Sequence, residues 1–274
     1  MNIDHLITVK ENFLVILDSR NAVQYYNGSF NSNVYFEFDE PLRIPKDAIK
    51  CYASLLSFSS PNSIYTINEN NSLLSMTVGA TNHDYIVPYG NYNANTFMKT
   101  LKAVIDSGFT ITFNTITNIF TLAHSTQSFS INPSSTIYEV MGFSKNTTYN
   151  STGRSLTLPF TCNFNGLSSI NVHLANVTNS NIDSYNRSTS SIIQSIPIET
   201  GSGQIFYDKS NDYNYVVNAD HVDYIEIRIQ DDMENFINFN NQHWNMTLYF
   251  TVVKDVERFS HHNSFFTILQ NGYT

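Results

Sequence analysis

Charge is the scarcest commodity in this chain. Asp, Glu, Lys and Arg make up 14% of its 274 residues, against the roughly 25% usual for soluble domains. What charge there is leans acidic, with a formal net charge of −9, and no basic run exceeds two residues. Affinity for nucleic acid comes from Lys/Arg clusters that displace counterions from phosphates, so this pattern argues against direct nucleic-acid partners. Cysteine is equally sparse, with Cys51 and Cys162 alone. Two cysteines cannot build a cysteine-rich zinc site. Cys51 falls in the alternation Ile49, Cys51, Ala53, Leu55, the setting of a small buried thiol. No apolar run approaches the roughly 18 residues of a membrane span. The opening Met-Asn-Ile-Asp-His lacks the basic and apolar segments of a signal peptide, so synthesis in the cytoplasm is expected.

Catalytic signatures are missing too. There is no His-Glu-x-x-His, and Gly201-Ser202-Gly203 lacks the Gly-Lys-Ser/Thr that would complete a phosphate loop. No Gly-x-Ser-x-Gly elbow occurs. Asp18-Ser19-Arg20 contains two triad residue types, but no motif places a histidine beside them. His261-His262 lacks metal-ligand spacing. Asp231, Asp232 and Glu234 form a carboxylate cluster. Oxygen ligands at that density suit a hard cation such as Ca²⁺. Their position between two strong strands reads more simply as a charged hairpin tip. The chain is therefore expected not to be an enzyme, and no cofactor is expected.

The chain is rich in Asn, Ser, Thr and aromatic residues, with 17 Tyr and 20 Phe. Such a surface suits broad hydrogen-bonded contacts with other protein. Tyr25-Tyr26, Tyr213, Tyr215 and especially Tyr89 and Tyr92 are candidate surface recognition residues, able to stack on sugars or fill an interface.

Hydrophobic periodicity sets the fold class. Met246, Leu248, Phe250 and Val252 alternate with Thr247, Tyr249 and Thr251. Ile225, Ile227 and Ile229 alternate with Tyr224, Glu226 and Arg228. Similar patterns predict strands at 13–18, 33–38, 48–58, 168–174, 191–198, 203–207, 222–229 and 245–253. The period changes once. Phe97, Leu101, Val104 and Ile105 form one helical stripe, with Asn93 as N-cap and Gly108 ending the helix. A hairpin at 109–122 and a strand at 129–131 follow, and Thr136 with Glu139 makes a capping box for a short helix. Ile64–Ile67 and Leu73–Val78 read as a hairpin around Asn68–Asn71, Tyr26–Ser29 as a turn, and 178–190 as an exposed loop.

The expected fold is mainly β: a single eight-stranded antiparallel jelly roll with an inserted small α+β domain. In residues, 1–12 form an N-terminal arm, 13–60 and 156–256 a discontinuous jelly roll, 61–155 the insert, and 257–274 a C-terminal tail. That tail carries Phe259, Phe265, Phe266, Ile268 and Leu269.

Several local features, taken in order, resemble the penton proteins of virophages, Polinton-type elements and related large eukaryotic DNA viruses. They are Asp18-Ser19-Arg20 after the first strand, Pro61–Asn68 after the third, and Pro88-Tyr89-Gly90-Asn91-Tyr92-Asn93 leading into the helix. Met141-Gly142-Phe143, Ile225–Asp232 and Trp244–Val253 complete the likeness, which spans most of residues 13–255. The resemblance implies a structural capsid protein of the virion, forming a homopentamer at icosahedral fivefold vertices and contacting the major capsid protein. Minor capsid proteins or a host receptor are further candidate partners. The insert would project outward. A peripentonal minor capsid protein, or a carbohydrate- or receptor-binding β-sandwich module, are the alternatives.

Overall fold

The computed structural model describes residues 8–24, 31–178, 181–185, 188–209 and 213–255. The expected turn at 26–29, the tail at 257–274, Tyr25, Tyr26 and residues 1–7 of the expected arm lie outside the described residues. The chain forms two compact units. One takes the described residues up to Ser63 and from Ser169 onward, and the other is Ile64–Ser168. The second unit runs on past residue 155 because Ser155–Thr157 pairs with Ile119–His124 inside it, and Leu158 belongs to its core.

The first unit is built on eight strands: β1 (Thr8–Asp18), β2 (Asn33–Arg43), β3 (Ala48–Pro61), β4 (Ser169–Leu174), β5 (Ile192–Pro197), β6 (Ile205–Lys209), β7 (His221–Gln230) and β8 (Asn245–Asp255). They form two antiparallel sheets, ordered β1-β8-β3-β6 and β5-β4-β7-β2. Every strand pairs with its counterpart counted from the other end: β1 with β8, β2 with β7, β3 with β6, β4 with β5. Val23–Gln24 and Tyr215–Val216 extend the sheets at β2 and β3. Asn181–Asp183 and Ser188–Ser190 form a hairpin where a loop was expected.

The long strands follow from their alternation. Met246, Leu248, Phe250 and Val252 are buried on β8, and Ile225, Ile227 and Ile229 on β7. Burying a large aliphatic side chain contributes roughly 1.5–3 kcal/mol, so a one-residue slip would turn an entire stabilising row outward. Strand β1 corrects the expected arm. It starts at Thr8 and pairs residue for residue with β8 as far as Asp18. Thr8, Lys10, Glu11 and Asn12 at its start are polar, and the Lys254 ammonium on β8 reaches Glu11 at 2.7 Å.

Trp244, the only tryptophan, joins the two sheets. It is fully buried. Its ring stacks on Phe58 of β3 at 6.1 Å and meets Phe36 of β2 edge-on at 6.0 Å. Its indole N–H donates to Asn31 O at 2.7 Å, so the polar end of the ring is satisfied inside the core. Its backbone N–H donates to Ser19 Oγ, and its carbonyl accepts from Ser19 N–H, both at 3.0 Å.

The second unit carries α1 (Ala94–Val104) and α2 (Tyr138–Met141) with two small sheets. Asn93 caps α1 as expected, in a reciprocal box with Thr96, and Phe97 and Leu101 pack into a core with Leu74, Met76, Phe120 and Leu122. Three local expectations are corrected. The helix ends at Ile105, and Gly108 serves a different turn: Asp106 Oδ1 accepts its N–H at 2.7 Å, and a Cβ there would sit 2.4 Å from His124 Nε2. Thr136 does not cap α2. Its Oγ1 accepts from Leu73 N–H at 3.1 Å, and the N-cap residue is Ile137 with no side-chain bond. Leu73–Val78 pairs with Thr81–Ile86, whereas Ile67 makes an isolated bridge to Gly90.

Replacing Trp244 with alanine removes the side chain that spans both sheets. Trp244→Ala is expected to lower the unfolding free energy by about 3–5 kcal/mol, read from urea denaturation. A loss no larger than that of an exposed-site substitution would contradict this role.

Candidate functional site

The structure brings together one pair that no motif could reveal. Ser19 follows β1 and His243 precedes β8, and their Oγ and Nδ1 lie 3.3 Å apart. With Asp18 adjacent, all three triad residue types meet. Their bonding is that of a corner lock. Ser19 is buried, and its Oγ already accepts the Trp244 amide. Asp18 is turned away to Arg20, whose Nε lies 3.0 Å from both carboxylate oxygens and whose backbone N–H donates at 2.9 Å. The Arg20 side-chain bonds, then the Arg20 amide, hold the Asp18 carboxyl down at about 2. A triad needs that carboxylate on the imidazole.

The other candidates are likewise absorbed by the fold. Asp231 Oδ1 accepts the amides of Met233 and Asn235 at 2.9 and 2.8 Å, and Oδ2 accepts from Asn235 Nδ2 at 2.8 Å. Asp231 thus caps the loop between β7 and β8, while Asp232 is exposed. Glu234 sits at φ 65 and its carbonyl accepts from Gln230 Nε2. Among the described residues no three His, Cys, Asp or Glu side chains are grouped to hold a metal ion. Tyr89 is 52% exposed. Tyr92 is half-buried, packed edge-on against Phe97, with its hydroxyl donating to Pro88 O at 2.7 Å. Tyr213 is exposed and Tyr215 pairs with Ala53. Burial pushes the Cys51 thiol up to about 11, and both cysteines are free. No helix among the described residues is long and apolar enough to cross a membrane.

What the first unit does present is surface. The outward side of the β1-β8-β3-β6 sheet carries Leu14 and Ile16 on one edge strand and Ile205 and Tyr207 on the other, and Ile16 is 77% exposed. Toward the Lys10 end of the same sheet lies an open groove of about 740 Å³. Ser54 and Thr251 are its nearly buried floor, Tyr52 and Tyr249 line it, and Lys10 is its one charged lining residue. Periodicity could not find this groove, because register across three strands assembles it. Both long edges of the sheet are open among the described residues, and unpaired edges with exposed apolar residues favour association with other chains.

No family model matches the chain, and no curated protein matches it. Among solved structures, the chain is similar to the crystal structure of the mavirus penton protein. The identity is 10%, the match covers 90% of this chain and 99% of that one, and the TM-score is 0.44.

The Asp18–Arg20 pair gives a pH dependence with a definite sign. A carboxyl held below its ordinary value stabilises the fold above that value, and the contribution is lost as pH falls through the folded value. Here the window runs from 3.8 down to about 2. Arg20→Ala is expected to return the Asp18 carboxyl toward 3.8 in an NMR titration and to flatten stability across that window. An unchanged titration would contradict the pairing.

Proposed function

We propose that this chain is a structural capsid protein of the virion, a penton that forms homopentamers at icosahedral fivefold vertices and contacts the surrounding major capsid protein. The observation that carries the reading is the strand order. Eight strands pair first with last inwards, as when one long hairpin with its tip at β4–β5 is wrapped into two sheets. We read this order as a single eight-stranded jelly roll, an architecture used by viral capsid domains. The α+β unit enters between β3 and β4, where it leaves every one of those pairings intact.

The surface supports the same reading. Its outward sheet face offers apolar and hydroxyl groups, as protein interfaces do, and the polar groups that sequence nominated for chemistry are occupied in turns and corners. We infer a non-enzymatic role on that basis, with no cofactor. A jelly roll can also serve as a lectin, and a peripentonal protein could share the fold, so the assembled state is the property that discriminates.

Native mass spectrometry and analytical sedimentation of the purified chain provide the test. The expected species is five times the 31.2 kDa chain mass, formed alone or on addition of major capsid protein. A chain that stays monomeric in both conditions contradicts the proposal.

A further inference from the structure

We propose that neighbouring copies associate head to tail, the outward face of the β1-β8-β3-β6 sheet of one copy meeting the outward face of the β5-β4-β7-β2 sheet of the next. This rests on the pentamer reading above and adds which surfaces meet.

The first face is basic. Register puts Lys10, Val253 and Lys50 in one row across β1, β8 and β3, and Val253 and Lys10 both line the outward groove. Lys209 lies opposite Ser57 on the same sheet. All three lysines are exposed and make no ion pair among the described residues. The carboxylates nearby are already engaged: Asp18 pairs with Arg20, and Glu11 and Asp47 share Lys254 at 2.7 and 3.7 Å.

The second face is acidic. Glu37 of β2 lies opposite Tyr224 of β7, and Tyr35 lies opposite Glu226. Glu226 is spent on Arg228, whose Nε is 2.7 Å away. Glu37 and Asp39, which alternate with the buried Val34 and Phe36, are exposed and make no ion pair among the described residues. Arg43 closes the strand at its far end, opposite His221. Tyr35 and Tyr224 meet edge-on at 6.2 Å and supply the aromatic surface beside these carboxylates.

Face-to-same-face contact would set lysine against lysine or carboxylate against carboxylate. Contact between unlike faces pairs opposite charges. That contact is heterologous, and heterologous contacts generate rings when the rotation closes, including rings of odd number that two-fold contacts cannot build. Exposed charges of this kind govern partner choice and register, while the apolar area around Leu14, Ile16 and the two tyrosines supplies the affinity.

Charge reversal tests this. Lys10→Glu with Lys50→Glu, and separately Glu37→Lys with Asp39→Lys, should each weaken self-association tenfold or more, measured by sedimentation at low salt. The four substitutions together should recover most of the loss. Matched thermal melts check that each variant folds. If a reversal prevents folding, the neutral pair Lys50→Gln and Glu37→Gln should still weaken association and reduce its salt dependence. An unmutated chain that assembles while both reversals assemble equally well overturns this inference alone. An unmutated chain that never assembles overturns the pentamer reading and this inference with it.

Discussion

The indole of Trp244 is the contact on which the first unit depends. It lies just before β8, the strand that pairs with both β1 and β3, and it touches Phe36 on one sheet and Phe58 on the other. Its backbone is tied to Ser19 by a reciprocal pair of hydrogen bonds. One residue therefore fixes where β1 ends, where β8 begins, and how the two sheets meet. The cost of burying an indole N–H is offset by the Asn31 carbonyl. Ser19, His243, Asp18 and Arg20 become intelligible around it. They close the corner that the tryptophan positions, and residues resembling a catalytic set are held by bonds suited to stability.

The consequence for function is a division of labour between faces. Inward positions of the strands are spent on the core, where Phe250, Leu248 and Ile227 are almost wholly buried. Outward positions are not constrained by the core, and here they carry few charges, many hydroxyls and several exposed apolar groups. A chain with a net charge of −9 meets a long-range repulsion on self-association. A face whose unpaired charges are Lys10, Lys50 and Lys209 relieves it locally. The second unit keeps its own core around Phe97, Leu101 and Phe120.

Much of the fold was legible because burial writes itself into period-2 alternation. The strands at 222–229 and 245–253 and the helix stripe from Phe97 stand in the structure much as the pattern predicts. Reading failed where structure arises without an apolar signal. Thr8–Asn12 is polar but for the exposed Val9 and still forms strand, because β8 supplies a backbone partner for every residue. Gly108 and Thr136 are good capping residues locally, yet distant contacts with His124 and Leu73 engage them instead. The Ser19–His243 contact and the groove were invisible for a related reason. Both join residues far apart in the chain, and only the sheet order β1-β8-β3 brings them together. Asp231, Asp232 and Glu234 were visible as a cluster, but whether carboxylates face a cation or their own loop amides is decided by backbone conformation.

The proposed head-to-tail contact would make assembly depend on two opposed sheet faces. Zero-length carboxyl-to-amine cross-linking of the assembled protein, made from mixed light and heavy isotope-labelled chains, tests this most directly because it separates contacts between copies from contacts within one. The predicted result is mixed-isotope links joining Lys10, Lys50 or Lys209 to Glu37 or Asp39. Mixed-isotope links confined to residues 64–168 would contradict it.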